Sequence, residues 1–526
     1  MTEKVYFGYG KDVASIELSK LNRHGIIAGA TGTGKTITLK VLAEQLSAAG
    51  IPVFLSDIKG DIASLAEANT GDGLEERLTA TQYTTYEPQS YPVEIWDVFG
   101  AEGTPVRITI SEMGPILLSR LLGLNDTQTG ILNIVFAVAD ERELLLIDLM
   151  DLRAMLNYVA DHAQELGQHY GTISKASVGV ILRSIVVLEQ QGGQQFFNEP
   201  SLEIADFMRQ SADGRGVINI LNAKQLYTQP TLYATVLLAL LSELYEDLPE
   251  VGDLPQPKLV FFFDEAHSLF DGTPKALLDK IELIVRLIRS KGVGVFFITQ
   301  NTTDIPEAVA SQLGNRIQHG LRAFTPKELK TVKAVADSFR QESGEDLAQV
   351  IQVLKVGEAV VSTLQADGTP SMADRVMIYP PQSRIGTIDP SKLLQVINQS
   401  PLLEKYQESI NRESAHEQIT ALIEMEEAAL IAEAEAAAQA AEAERLAKEQ
   451  AKAEAKQEAA LAKELEKQRK QAEKENERAR QAAQKARTSA RRTDSAMDRF
   501  TKNIMSSVGR EVGKAVSRGI TGMFKR

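Results

Sequence analysis

Four short segments of this chain hold residue types whose spacing permits phosphoryl chemistry. The first is Gly29-Ala30-Thr31-Gly32-Thr33-Gly34-Lys35-Thr36. Its glycines let a loop turn backbone N–H groups inward around phosphates, so ATP is the expected ligand of all eight residues. Lys35 is expected to reach the β- and γ-phosphates and the Thr36 hydroxyl to ligate Mg²⁺. The helix that follows should direct its positive end at the anion. The second segment is Leu259-Val-Phe-Phe-Phe-Asp264-Glu265, five apolar residues and then two carboxylates. It reads as a buried strand ending beside the loop, with Asp264 holding Mg²⁺ through water and Glu265 polarising the attacking water.

Gly294-Val-Phe-Phe-Ile-Thr299-Gln300-Asn301 is a further apolar strand with a polar end, where Gln300 can sense the γ-phosphate. Val53-Phe-Leu-Ser-Asp57-Ile-Lys59-Gly60-Asp61 ends in a charged turn. That turn either contacts the nucleotide site or a neighbouring subunit, or is a plain surface turn. Arg316 and Arg322 flank another strand, and ring motors insert an arginine across a subunit interface to stabilise transition-state charge. Either residue suits that role; Arg286 and Arg289, on the preceding helix, suit it less well.

These residues need a scaffold, and hydropathy patterning supplies one. HGIIAGA and IPVFLSDI are short apolar runs bounded by Gly and Pro, and ITLKVLAEQLSAAG between them has helical spacing. From about 111 to 210, SEMGPILLSRLLGL, DTQTGILNIVFAVADE and DLRAMLNYVADHAQEL repeat apolar residues at three- and four-residue intervals, with Ser111 and Asp126 suited to N-caps. Residues 211–385 return to alternation, with GVINIL, KLVFFFDEA, GVGVFFITQN, RIQHGLRAF and EAVVSTL as strands apolar enough to be buried on both faces of a parallel sheet. The expected organisation is an α/β P-loop NTPase core over 1–110 and 211–400, a helical insertion over 111–210, and a helical tail over 401–526.

The tail is written almost wholly in Ala, Glu, Lys, Gln and Arg, with no Gly or Pro from Leu402 to Val508. That composition predicts a long exposed helix whose mainly alanine stripe makes a weak coiled coil at best; a solvated helix or disordered segment and an arm for self-association or partner docking are the readings it leaves open. Residues 404–444 hold 11 acidic and 2 basic side chains, whereas 478–526 hold 3 and 13, so the basic terminus suits nucleic acid or an anionic membrane surface.

Of 526 residues, 43% are hydrophobic and 24% charged, enough for a large buried core. The absence of cysteine excludes disulfides and thiolate metal sites, and the six scattered histidines form no ligand cluster. The N-terminus has no signal-peptide pattern and no stretch is apolar enough to span a membrane, so the cytoplasm is expected. Residues 1–403 carry 49 acidic and 33 basic side chains, a net −16, so the body does not display a general basic face for nucleic acid.

Taken together, GATGTGKT, DIKGD, FFFDEAH, FFITQN and LGNR resemble the HerA/FtsK superfamily of pumping ATPases. Within it the match is to bacterial HerA-like proteins of the YjgR type, over roughly residues 1–385. The resemblance implies a RecA-like core with an additional strand and a catalytic glutamate. It also implies a hexameric homo-oligomer with nucleotide at subunit interfaces, and DNA or another polymer drawn through the pore. By motif it assigns phosphate and Mg²⁺ binding to Lys35 and Thr36, the acidic pair to Asp264 and Glu265, and the sensor to Gln300. Two departures stand out. HerA begins with a β-barrel that helps dock a nuclease, and only about 20 residues precede the first strand of the loop here, so that partnership is not expected. The membrane spans and winged helix of FtsK have no counterpart. A DNA translocase or helicase-like motor is therefore the leading expectation. A polypeptide-handling secretion-type ATPase, favoured by the acidic body, and a nucleotide-gated scaffold are the alternatives. An ABC- or SMC-type ATPase is disfavoured, because no LSGGQ-like signature separates the two phosphate motifs and the helical stretch follows the core.

Overall fold

The apolar runs pair into one sheet of twelve strands in a computed structural model that describes residues 3–270, 275–341 and 346–487. In chain order the strands are β1 (Lys4–Tyr9), β2 (Val13–Glu17), β3 (Gly25–Ala28), β4 (Val53–Asp57), β5 (Val93–Asp97) and β6 (Thr104–Pro105). They continue as β7 (Ile218–Asn222), β8 (Leu259–Phe263), β9 (Val293–Thr299), β10 (Asn315–His319), β11 (Glu358–Ser362) and β12 (Asp374–Ile378). Their spatial order is β2-β1-β12-β11-β10-β3-β9-β8-β4-β7-β5-β6. Every pair from β10 to β6 is parallel, and the four strands β2, β1, β12 and β11 close the other edge antiparallel.

The position of β9 matters most for chemistry. It lies between β3 and β8, paired to both in parallel, so the strand carrying the two carboxylates is one strand removed from the loop strand. This is the RecA-like arrangement with an additional strand. The five strands expected between 211 and 385 are present as β7 to β11. The edge strands β2 and β6 and the inner β1, β5 and β12 were not legible, since none is a long apolar run.

Strand alternation divides the core in two. On β8, Leu259, Phe261 and Phe263 face one side, while Val260 and Phe262 face the other. The second side is covered by the helix Lys35–Ala48, through Leu39, Leu42 and Leu46. The first is covered by helices drawn from 110–190 and by Pro230–Asp247 and Lys275–Leu287. Burying both faces of the central strands β3, β4, β8 and β9 makes the sheet interior a rigid platform for the residues at its carboxyl edge.

Two helix starts differ from expectation. Ser111 and Asp126 are not the caps: Thr109 caps Ile110–Leu121 and Asn125 caps Asp126–Glu141. Each forms a reciprocal capping box, Thr109 with Glu112 and Asn125 with Gln128. The residue three positions ahead of a Glu or Gln outcompetes a nearer polar one because both orphan N–H groups are then satisfied.

The first compact unit runs from Met1 to Glu424, beyond the expected boundary at 400. The reason is packing: Tyr406 is fully buried and meets Trp96 edge-on at 5.6 Å, and Leu402, Ala415 and Ile419 are buried as well. The helix Ala415–Arg487 continues into the second unit, whose described side chains from Met425 onward are exposed. The basic terminus expected at 478–526 lies, from residue 488 on, outside the described residues. No single described helix is long and apolar enough to cross a membrane; the bent pair Ala163–Tyr170 and Lys175–Gln190 meets that measure only jointly.

Candidate nucleotide site at the carboxyl edge of the sheet

The loop from Gly29 to Gly34 joins β3 to the helix beginning at Lys35, and its path needs glycine. Gly29, Gly32 and Gly34 adopt φ of 153°, 78° and 113°. A Cβ on Gly29 would stand 2.5 Å from that of His319, and one on Gly34 would stand 3.2 Å from Gly357. The loop is tied to the strand ends on both sides. Gly29 N donates to Thr299 O (3.3 Å), Ala30 N to Gly320 O (3.0 Å), and Gly357 N to Thr33 O (2.9 Å). Lys35 is buried and donates from Nζ to the carbonyls of Gly29 (2.6 Å) and Ala30 (3.2 Å). Burial lowers its pKa, and the negative charges of Glu265 and Asp264 oppose that. Thr36 is half-buried in the first turn of the helix.

The carboxylates leave β8 through a strained residue. Glu265 has φ 46°, a left-handed conformation rare for a side chain of this size, and such residues concentrate at functional sites. Its Oε1 accepts from Lys59 Nζ at 2.7 Å, and its Oε2 stands 3.5 Å from His267 Nδ1. Glu265 Oε2, His267 Nδ1 and Asp61 Oδ1 are buried without a hydrogen-bond partner among the described residues. Burial works against the Glu265 charge, but the Lys59 ammonium outweighs it, aided by His267 and Lys35. The carboxyl is held below its ordinary value. Burial instead pushes Asp264 up to about 6 despite Lys59, with Glu265 and Asp61 adding to the rise. The two neighbouring carboxyls are thus driven apart, the pattern of paired acids with different tasks.

The charged turn after β4 divides its residues between two roles. Asp57 closes the turn itself, accepting from Gly60 N (2.6 Å), Ile62 N (3.1 Å) and Ala63 N (3.3 Å). Lys59 reaches across to Glu265. Gln300 is exposed at the end of β9 and lines a groove of about 570 Å³ with Ala30, Thr31, Arg322 and Phe324. The arginines separate. Arg316 is half-buried and turns its guanidinium to the carbonyls of Leu313 (3.3 Å) and Ala310 (3.5 Å) in its own chain. Arg322 is exposed and donates to Gln352 O and Leu354 O beside the groove. Arg289 and Arg23 share Asp253 at 3.6 Å each, and Arg286 is exposed on the helix Lys275–Leu287.

His319 is the residue sequence reasoning missed. It is buried behind the loop, with Nδ1 2.9 Å from Glu358 O and Nε2 2.8 Å from Thr38 Oγ1. A carbonyl only accepts, so Nδ1 carries the proton and Nε2 accepts from the Thr38 hydroxyl. Burial lowers its pKa to about 4, which keeps a neutral ring against the loop. A lone histidine between Gln318 and Gly320 gives no spacing signal.

A family model described as "Helicase HerA-like C-terminal" matches residues 8–526. The DNA double-strand break repair helicase HerA of Sulfolobus acidocaldarius is 21% identical over 367 residues, 66% of this chain and 63% of that protein. The match therefore spans less than two thirds of the relative's length. Among solved structures, the bacterial conjugative coupling protein TrwBΔN70 superposes with a TM-score of 0.50 at 13% identity, covering 74% of this chain and 92% of that one. This likeness bears on the fold alone. VirB4 of Thermoanaerobacter pseudethanolicus gives a TM-score of 0.46 at 15% identity over 75% of this chain and 99% of that one, too loose to carry an argument.

Proposed function

The chain belongs to the helicase HerA-like C-terminal family, and from that premise we propose that it is an ATP-hydrolysing motor, a hexameric ring acting on DNA in the cytoplasm. The observation that carries the reading is Glu265. It sits in a left-handed conformation at the end of β8, one strand from the phosphate loop, with one oxygen held by Lys59 and the other accepting no hydrogen bond among the described residues. A binding module needs the loop. A hydrolase needs, in addition, an ionised carboxylate with a free oxygen close to it.

In this reading Gly29–Thr36 cradle the ATP phosphates, and Lys35 leaves its loop carbonyls for the β- and γ-oxygens. Thr36 and Asp264 offer the all-oxygen donors that suit Mg²⁺, which when bound would neutralise phosphate charge. Glu265 orients and polarises the attacking water, and Gln300 reads the γ-phosphate from the tip of β9. Arg322, exposed and beside Ala30 and Thr31, is better placed than Arg316 to meet phosphate charge at a subunit interface. Residues 1–110 and 211–400 form the motor core and 111–210 an insertion upon it.

The polymer is tested by ATP turnover with no DNA and with single-stranded, duplex and tailed DNA, beside a mass measurement with a non-hydrolysable analogue. Stimulation by at least one DNA and a mass of six chains are expected. Turnover unchanged by every DNA sinks the DNA reading and leaves the polypeptide-handling alternative that the acidic body favours.

A further inference from the structure

The second compact unit holds a surface that the motor reading does not use. The helix Ala415–Arg487 is 73 residues long, about 110 Å at 1.5 Å per residue. Its charges are not arranged as a solitary helix would prefer. Glu444–Lys448, Glu466–Lys470 and Arg469–Glu473 make stabilising pairs four residues apart. Yet Lys448, Lys452 and Lys456 follow one another at the same spacing, as do Lys470, Lys474 and Arg478. Like charges so placed oppose helix formation.

These ladders form a stripe. Between Lys448 and Arg478 there are nine basic and eight acidic residues. Projected at about 100° per residue, eight of the nine basic residues fall within an arc of about 120°, against three of the eight acidic ones. Arg469 is the one cation outside it. The stripe runs about 45 Å along a stretch of the helix, 448–478, whose side chains are all exposed. We infer that it is a binding face for the phosphate backbone of duplex nucleic acid, independent of sequence and separate from the motor core.

Chemistry selects this occupant. From Gln407 to Arg487 there is no aromatic residue, so no platform exists on which unpaired bases stack, and single strands are disfavoured. Leu461 and Leu465 are the only large apolar side chains between Lys448 and Arg478, too few for a helix seated in a membrane surface. What remains is phosphate neutralisation by lysine and arginine, which is steeply salt-dependent. The inference shares with the motor reading only the premise that nucleic acid is a partner.

The test is the affinity of the full chain for a 30-base-pair duplex, without nucleotide, across a salt series. Lys452→Gln with Lys474→Gln removes two stripe charges, and Arg469→Gln with Arg480→Gln removes two from outside it. The stripe pair should weaken binding and flatten the logarithmic salt slope by about 2, one per lost phosphate contact, and the off-stripe pair by less than half as much. Lys452→Arg with Lys474→Arg should keep the wild-type slope, which excludes a folding defect at these positions. Equal flattening by both pairs, an unchanged slope, or tighter binding to phosphatidylserine vesicles than to the duplex overturns the proposal. ATP turnover indifferent to DNA with the stripe effect intact would remove the translocase reading and leave this one standing.

Discussion

Lys59 governs what Glu265 can do. Burial works against the charge of Glu265, and Lys59 at 2.7 Å is the foremost cation opposing that. Lys59→Met is therefore expected to lower ATP turnover about tenfold or more while leaving nucleotide affinity nearly unchanged, read as a fall in kcat at constant KM. His319 makes a prediction about pH. Its pKa is about 4 in the folded chain and near 6.5 when unfolded, so between those values the unfolded state binds more protons. Stability present above pH 6.5 is lost as pH falls toward 4, by about 3 kcal/mol for this group. His24, also buried with a pKa lowered to about 4, adds a second contribution of the same sign. The melting midpoint should drop between pH 7 and 5, and drop less in His319→Gln; equal slopes would contradict this. The loop, Asp264 and Glu265 were legible because their spacing is local. Lys59 and His319 were not assigned these partners because their contacts span 206 and 281 positions and exist only once the sheet is ordered.

The helix Lys35–Ala48 does more than open at the phosphate loop. Its inner face buries Lys40 and Glu44, which hold the segment around residues 381–384. Lys40 donates to Ser64 Oγ (2.7 Å) and Arg384 O (2.5 Å), and Glu44 accepts from Gln382 N (2.9 Å), Ser383 N (3.0 Å) and the Ser383 hydroxyl (2.5 Å). Removing the Glu44 carboxyl leaves three donors of this buried segment without their acceptor. Glu44→Ala should destabilise the chain by about 3 kcal/mol in denaturant unfolding, and Glu44→Gln, which keeps an acceptor oxygen, by less. Equal losses in the two variants would contradict this role. At this scale the central strands were legible from unbroken apolar runs. The strands toward the sheet's two ends were not, because β1 and β2 are short runs of mixed character and β6 has two residues, so their strand character comes from pairing rather than local pattern.

The segment from 402 to 419 belongs to the first compact unit. Besides packing on Trp96, Tyr406 donates its hydroxyl to Asp206 (2.6 Å), and the Ser414 hydroxyl bonds Asp151 (2.6 Å). Ending the chain after Glu424 should leave the melting midpoint of the body unchanged within about 1 °C, while ending it before Leu402 should lower it by several degrees. Composition changes near 401, whereas the packing of Leu402, Tyr406, Ala415 and Ile419 is a matter of distant contacts that composition does not carry. A motor of this kind must cleave ATP at the carboxyl edge of the sheet, and ATP turnover and nucleotide binding of the intact chain and of Glu265→Gln, measured side by side, test that. Unimpaired binding in both and a loss of turnover of at least about 100-fold in the variant are expected. Equal turnover in the two would contradict it.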